Sequence, residues 1–445
     1  MQKVEVGETV ESVQARIIGI LGELTADWDL DLTMGPDTTM VADIGFASID
    51  FIQLVVAIEN AYKRKLGFQD LLMRNGSYVS DLSVREFAVF VADRLSDDAT
   101  SATMPSPAVT PPAGTSAVSP SAAVLDTVPE RERITAEKLA TFRAGIARRN
   151  LPDDGTPRNP RALFVLSPPR SGSTLLRVIL AGSSRLFAPP ELHLLPYATM
   201  GDRLRALSGE HTDHLLDGAV RALMQLNGWP AEGARAFVAR CEQQNMSTKA
   251  FYGLLQKPLQ GERLLVDKTP TYVIDVDILR RIEREFEGAL YIHLQRHPCG
   301  MVRSYEESKL ERLMPMIREG DFGSRELAEL TWLTAQTNTL EFSREVPAER
   351  WLSLRYEDLV TQPEAMVRRI CTFAGIPFEP AMVNPYEEMD QRMTDGVDNA
   401  SKMSGDLKFH LHHGINPEAA TRWQRYYTEG ILGAQTRELA RQLGY

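Results

Sequence analysis

Two stretches of this 445-residue chain combine residue types and spacing suited to holding phosphate. The first is Leu163–Thr174, LFVLSPPRSGST. The apolar run Ala162–Leu166 has strand length and ends at Pro168-Pro169, where neither residue can extend a central strand. Arg170-Ser171-Gly172-Ser173-Thr174 follows, and then the helical apolar positions Leu175, Leu176, Val178, Ile179 and Leu180. A strand, a small polar loop and a helix start aim backbone N–H groups and a positive helix end at an anion. Gly172 permits close backbone approach, Arg170 brings a fixed charge, and Ser171, Ser173 and Thr174 bring hydroxyl donors. No Gly-Lys-Ser/Thr ends the loop, which excludes the nucleoside-triphosphate motif. The second stretch is Gly288–Gln295, GALYIHLQ, a strand leading into Arg296-His297-Pro298 and a helix over Cys299–Ser308 that carries Arg303 and Ser304. A planar guanidinium with a hydroxyl nearby suits a phosphate monoester. His410, His412 and His413 form a further cluster, but no separated fourth ligand completes a metal site, so no metal is assigned.

PRSGSTLL resembles the 5′-phosphosulfate loop of sulfotransferases that use PAPS, 3′-phosphoadenosine 5′-phosphosulfate. Arg296 with Ser304 resembles that family's 3′-phosphate element, and RYEDLVTQPE…FAGIPFE resembles the family further on. The resemblance covers about Arg161 to Tyr445. It implies a P-loop-like parallel sheet flanked by helices, with PAPS held by Arg170, Ser171, Gly172, Ser173, Thr174, Arg296 and Ser304. Tyr356 is its candidate for stacking on adenine. Sulfuryl transfer needs a base for the acceptor proton. Glu191, after Pro189-Pro190, matches the glutamate base of bacterial and tyrosine-protein sulfotransferases. Lys268 in VDKTP is placed to offset leaving-group charge. His193 shares a face with Glu191 if that segment is extended, and is either a second base, a substrate-orienting group or a core histidine. Lys408–Ile415 resembles the loop that closes over PAPS, with His412-His413-Gly414 where the family often has Arg-Lys-Gly. His410 is the second candidate base.

The elements that must position these groups alternate strand and helix from Ala162 onward, the mark of a parallel sheet with crossover helices. A different pattern precedes them. Residues 1–98 carry seventeen acidic and eight basic side chains, hence −9 of the chain's −11. Helical spacing appears over Val10–Leu24, from Ile49 to Ile58 and over Val84–Leu95, which predicts a small helical bundle. The join DIGFASIDFIQLVVAIE resembles the acyl carrier protein signature, whose serine carries 4′-phosphopantetheine. Ser48 is that serine, with Ala47 where the usual carrier has Asp. Ala99–Leu125 has no charged residue and is rich in Pro, Ala, Ser and Thr, as in a flexible linker spanning roughly 30 Å. The expected domains are therefore a carrier-like bundle over 1–98, a linker over 99–130 and a sulfotransferase domain over 131–445.

Acidity argues against nucleic-acid binding, and no apolar run approaches membrane-spanning length. The start, MQKVEVGETVESVQ, lacks a signal pattern, so a cytoplasmic location is expected. Cys241, Cys299 and Cys371 are scattered, with neither metal nor disulfide spacing. The two resemblances together look like the carrier and sulfotransferase pair of curacin-type polyketide synthases. They imply sulfation of the β-hydroxyl of an acyl chain on its own or another carrier domain. The implied partners are a phosphopantetheinyl transferase and either polyketide synthase modules or a separate thioesterase. Two other readings stand: sulfation of a free small molecule, lipid or glycan with the bundle as a docking module, and a non-catalytic scaffold.

Overall fold

The computed structural model describes residues 9–25, 32–97, 125–308, 322–387, 392 and 414–445, less 42, 45, 47, 65, 69–70, 72, 75–76, 79–80, 130–132, 148–150, 152, 154 and 210–211. Most of the uncharged stretch before Leu125, and His410, His412 and His413, lie outside them. The chain forms two compact units.

In the N-terminal unit, α1 is Val10–Leu24, α2 is Ser48–Tyr62 and α3 is Val84–Asp97. Thr9 caps α1 by accepting a hydrogen bond from the Ser12 amide. Val13, Ile17 and Leu21 recur every fourth residue and are fully buried, as are Leu54, Ile58, Phe87 and Val91. Two short strands, β1 (Met73–Arg74) and β2 (Ser77–Tyr78), pair antiparallel. Before α2, the Asp43 carboxylate accepts from the Thr39 amide at 2.7 Å and its hydroxyl at 2.9 Å. Ile44 and Phe46 then enter the core, and the Phe46 ring meets Phe51 edge-on at 5.7 Å. These contacts fix how the chain arrives at Ser48, the first residue of α2.

The C-terminal unit is built on five parallel strands: β3 (Ala162–Leu166), β4 (Leu186–Phe187), β5 (Leu264–Lys268), β6 (Leu290–Gln295) and β7 (Trp351–Arg355). Their order is β4-β5-β3-β6-β7. All five residues of central β3 are buried, which is why that run is wholly apolar. The helices are α4 (Ala136–Gly145), α5 (Ser173–Ala181), α6 (Met200–Leu207), α7 (Asp217–Asn227), α8 (Ala231–Gln243), α9 (Thr248–Gln256), α10 (Val276–Glu285), α11 (Pro298–Ser308), α12 (Ser324–Ser343), α13 (Tyr356–Thr361), α14 (Pro363–Ala374) and α15 (Ala434–Gln442). Gly228, at φ +63°, ends α7, and Pro230 caps α8, giving the expected break there. The Arg185–Leu195 stretch has only Leu186–Phe187 in a strand.

Register decides where the site lies. Val165 pairs with Lys268, Leu166 with His293, and Gln295 with Arg355. The carboxyl ends of β3, β5, β6 and β7 are thus nearly level. After β3 the chain crosses to β4 on one side, whereas β6 leads to β7 on the other. Loops diverge between β3 and β6, and a crevice outside the strand ends at such a reversal is where open parallel sheets bind ligands.

Candidate active site

The loop after β3 occupies that reversal. Arg170 (φ +59°) and Gly172 (φ +80°) are both left-handed, and Gly172 caps α5. A Cβ on Gly172 would lie 2.1 Å from Tyr356 Cδ2, so a side chain there is excluded by contact as well as by φ. Ser173 and Thr174 are the first residues of α5, where N–H groups lack intrahelical partners. The hydroxyls of Ser167 and Ser171 are buried without a hydrogen-bond partner. Each such group costs about 1–3 kcal/mol until an acceptor arrives. Orphaned hydroxyls beside free helix-terminal amides fit the oxygens of a phosphosulfate.

The second phosphate element folds against this loop. Arg170 Nε donates to Ser304 Oγ at 3.2 Å, and Arg296 Nη1 donates to the Arg170 carbonyl at 2.7 Å. Arg296 Cζ stands 4.4 Å from the centroid of the Tyr356 ring. Trp332 Nε1, from α12, donates to the Arg296 carbonyl at 2.9 Å. Arg170, Gly172, Arg296, Ser304 and Tyr356, drawn from three separate strand ends, therefore meet in one place. Tyr356 starts α13 directly after β7, and its ring is flanked by Gly172 and Arg296.

Beside this loop, at the end of β5, lies a buried charged cluster. Lys268 Nζ donates a short hydrogen bond to Glu191 Oε1, and His193 Nε2 lies 3.2 Å from Glu191 Oε2. Lys268, Glu191 and His193 are 1%, 7% and 5% exposed, so the pairing is almost unscreened. Burial by itself raises the Glu191 carboxyl; the Lys268 ammonium and the His193 ring outweigh it and hold the carboxyl well below the usual carboxylate range. Glu191 is therefore an ionised acceptor at neutral pH. The segment carrying it is not extended throughout: His193 has φ +48°, and the turn, rather than strand alternation, brings its ring back to Glu191. A left-handed non-glycine residue costs about 1–2 kcal/mol, which its surroundings must offset.

The sulfotransferase family model matches residues 160–380, and a sulfotransferase domain model matches residues 331–433. The solved sulfotransferase domain from the curacin biosynthetic pathway is 38% identical, with 65% of this chain and 99% of that one covered and a TM-score of 0.60. This chain belongs to the sulfotransferase family. The solved sulfotransferase domain from the Synechococcus PCC 7002 olefin synthase is also 38% identical, covering 67% of this chain and 99% of that one at a TM-score of 0.58. Carbohydrate sulfotransferase 7 of Mus musculus is 34% identical over 171 residues, which are 36% of this chain and 31% of that protein. The chain spans about a third, 31%, of the length of the curated relatives it matches.

The C-terminal unit is thus a sulfotransferase, an enzyme with a PAPS-type donor, and the segment that carries Glu191 rests on residues with no sequence motif. Nothing regular holds Ala188–Tyr197, yet five of its backbone carbonyls accept from three buried arginines. Arg177 donates to Ala188 O, Arg203 to Leu192 O and His193 O, and Arg281 to Leu195 O and Tyr197 O. Gly218 on α7 completes the seat: a Cβ there would meet Glu191 O at 1.9 Å. From sequence these arginines look like ordinary helix-surface residues. Candidate base His410 lies outside the described residues. Among the described residues, no helix is long and apolar enough to cross a membrane.

Proposed function

We propose that this sulfotransferase moves a sulfo group from PAPS to the β-hydroxyl of an acyl chain held on phosphopantetheine at Ser48. Its own N-terminal unit is the first candidate carrier, within domains 1–98 and 131–445 joined by a linker over 99–130. The observation that carries this reading is the 38% identity to two sulfotransferase domains taken from a curacin pathway and an olefin synthase. An acidic helical bundle with a serine opening its second helix supports it. The reading implies a phosphopantetheinyl transferase as loading partner, with polyketide synthase modules or a separate thioesterase acting before or after.

PAPS, when bound, supplies the sulfo group and leaves as the phosphate-bearing nucleotide. Ser167, Ser171, Arg170 and the first amides of α5 hold the phosphosulfate. Arg296 and Ser304 hold the 3′-phosphate, with Tyr356 beside the base. Glu191 takes the proton of the acceptor hydroxyl. That proton cancels the carboxylate's charge and loosens its ion pair, so the Lys268 ammonium becomes available to charge building on the leaving oxygen. His193 keeps the carboxylate aimed, and His410 is the alternative base.

The test is intact-protein mass spectrometry of the full chain carrying a 3-hydroxyacyl-phosphopantetheine on Ser48. With PAPS, the loaded chain gains one sulfo group and the unloaded chain gains none. The 34% identity to a carbohydrate sulfotransferase favours a second reading, a free glycan hydroxyl as acceptor. Sulfo transfer to a free glycan with none to the loaded chain would establish that reading instead.

A further inference from the structure

Glu191 and Lys268 come from different elements, one from an irregular segment and one from the end of β5. Their contact needs the two backbones held at a fixed separation, and a chain of hydrogen bonds runs directly between them. Leu194, three residues after Glu191, donates its amide to the Tyr272 hydroxyl at 3.0 Å. Tyr272 donates in turn to Asp267 Oδ2 at 3.1 Å. Asp267 is the residue before Lys268 and is 1% exposed. Its other oxygen accepts from Thr269 Oγ1 at 2.8 Å, and Tyr252 also donates to Oδ2. Asp267 is thereby fixed on both oxygens and fixes Tyr272.

The place where this chain attaches matters most. Carbonyls of the 188–197 segment are held by arginines, but among the hydrogen bonds described the Leu194 amide is held by Tyr272 alone. Leu194 directly follows His193, whose left-handed φ of +48° returns its ring to Glu191 Oε2. The hydroxyl thus sits where it maintains a turn that the chain does not adopt readily by itself.

From this geometry we infer that Tyr272 is a positioning residue of the transfer step. It ties the backbone beside Lys268 to the turn at His193 and so sets the Glu191 carboxylate between ammonium and imidazole. This rests on the reading of Glu191 as the base given above. Tyr272 touches neither substrate nor nucleotide in this assignment.

The test uses the full chain with a loaded acceptor and measures single-turnover transfer alongside PAP affinity. Tyr272→Phe keeps the ring in the core and removes the hydroxyl. The expected result is a roughly 10–100-fold slower transfer with PAP affinity within about twofold of the parent. In Tyr272→Phe/Glu191→Gln the two losses should not add, because the tyrosine acts only through the glutamate. Tyr252→Phe removes a hydroxyl that donates to Asp267 and lies 3.3 Å from the Tyr272 hydroxyl, but leaves the Leu194 amide bonded to Tyr272, and should transfer at near-parental rate. A near-parental rate in Tyr272→Phe, full additivity with Glu191→Gln, or an equal loss in Tyr252→Phe would each overturn the inference. If Tyr272→Phe does not fold, Asp267→Asn weakens the acceptor that orients the hydroxyl and should give the same non-additive pattern. Near-parental transfer in Glu191→Gln itself would instead refute the reading of the base.

Discussion

At Glu191 the two carboxylate oxygens have different company. Oε1 takes the Lys268 hydrogen bond, and Oε2 faces the His193 ring nitrogen at 3.2 Å. A carboxylate so paired stays ionised and aimed, and the ion pair that keeps it so must loosen as it takes a proton. Glu191→Gln keeps the size and the carbonyl acceptor but cannot accept a proton at neutral pH. If Glu191 is the base, single-turnover transfer should fall by roughly 10²–10⁴-fold, with PAP affinity barely changed. The nucleotide contacts assigned here lie on Arg170, Arg296 and their neighbours, so unequal effects on rate and affinity are the discriminating result. A near-normal rate would move the base to His193 or His410.

Among the elements, β6 carries a titrating group inside the sheet. His293 is fully buried; its Nε2–H donates to Gln336 Oε1 at 2.7 Å, and its Nδ1 accepts from Gln295 Nε2 at 3.3 Å. Both ring nitrogens are satisfied only in the neutral form, because a second proton on Nδ1 would face the Gln295 donor. Burial lowers the pKa from 6.5 to about 4. The folded state thus binds its proton less readily than the unfolded state does. The stabilisation is complete above pH 6.5 and is lost as pH falls from 6.5 through about 4. The difference between the two states amounts to roughly 3 kcal/mol. Denaturant melts of the C-terminal unit across this range should show the slope, and His293→Gln should flatten it. An unchanged slope would mean that other groups dominate acid unfolding.

For the whole molecule, acidity and chemistry are apportioned unequally. Residues 1–98 hold most of the net negative charge, while the described nucleotide-site candidates all belong to the C-terminal unit. Each unit has its own hydrophobic core. Ser48→Ala should therefore abolish the mass increment that a phosphopantetheinyl transferase adds, while leaving PAP affinity and the melting of the C-terminal unit as in the parent. Persistence of the increment in Ser48→Ala would show that another residue is loaded.

Local signals in the sequence sufficed for the parallel sheet and for the polar loop that follows its central strand. A buried parallel strand must be apolar, and a phosphate loop must change from apolar to Pro, Gly and Ser within a few residues, so Ala162–Gly172 is legible from composition alone. The strand before Arg296 and the helix that carries Ser304 were legible for the same reason. The pairing of Glu191 with Lys268 was not, since it depends on β5 lying beside β3 and on an irregular segment folding over its end. The left-handed turn at His193 was equally hidden, because no glycine marks it. It persists through Arg203, Gly218 and Tyr272, residues 10 to 79 positions away that carry no shared motif. Hydrogen bonds to backbone amides and carbonyls leave little imprint on side-chain pattern, so the tertiary structure alone decided how the segment carrying Glu191 is held.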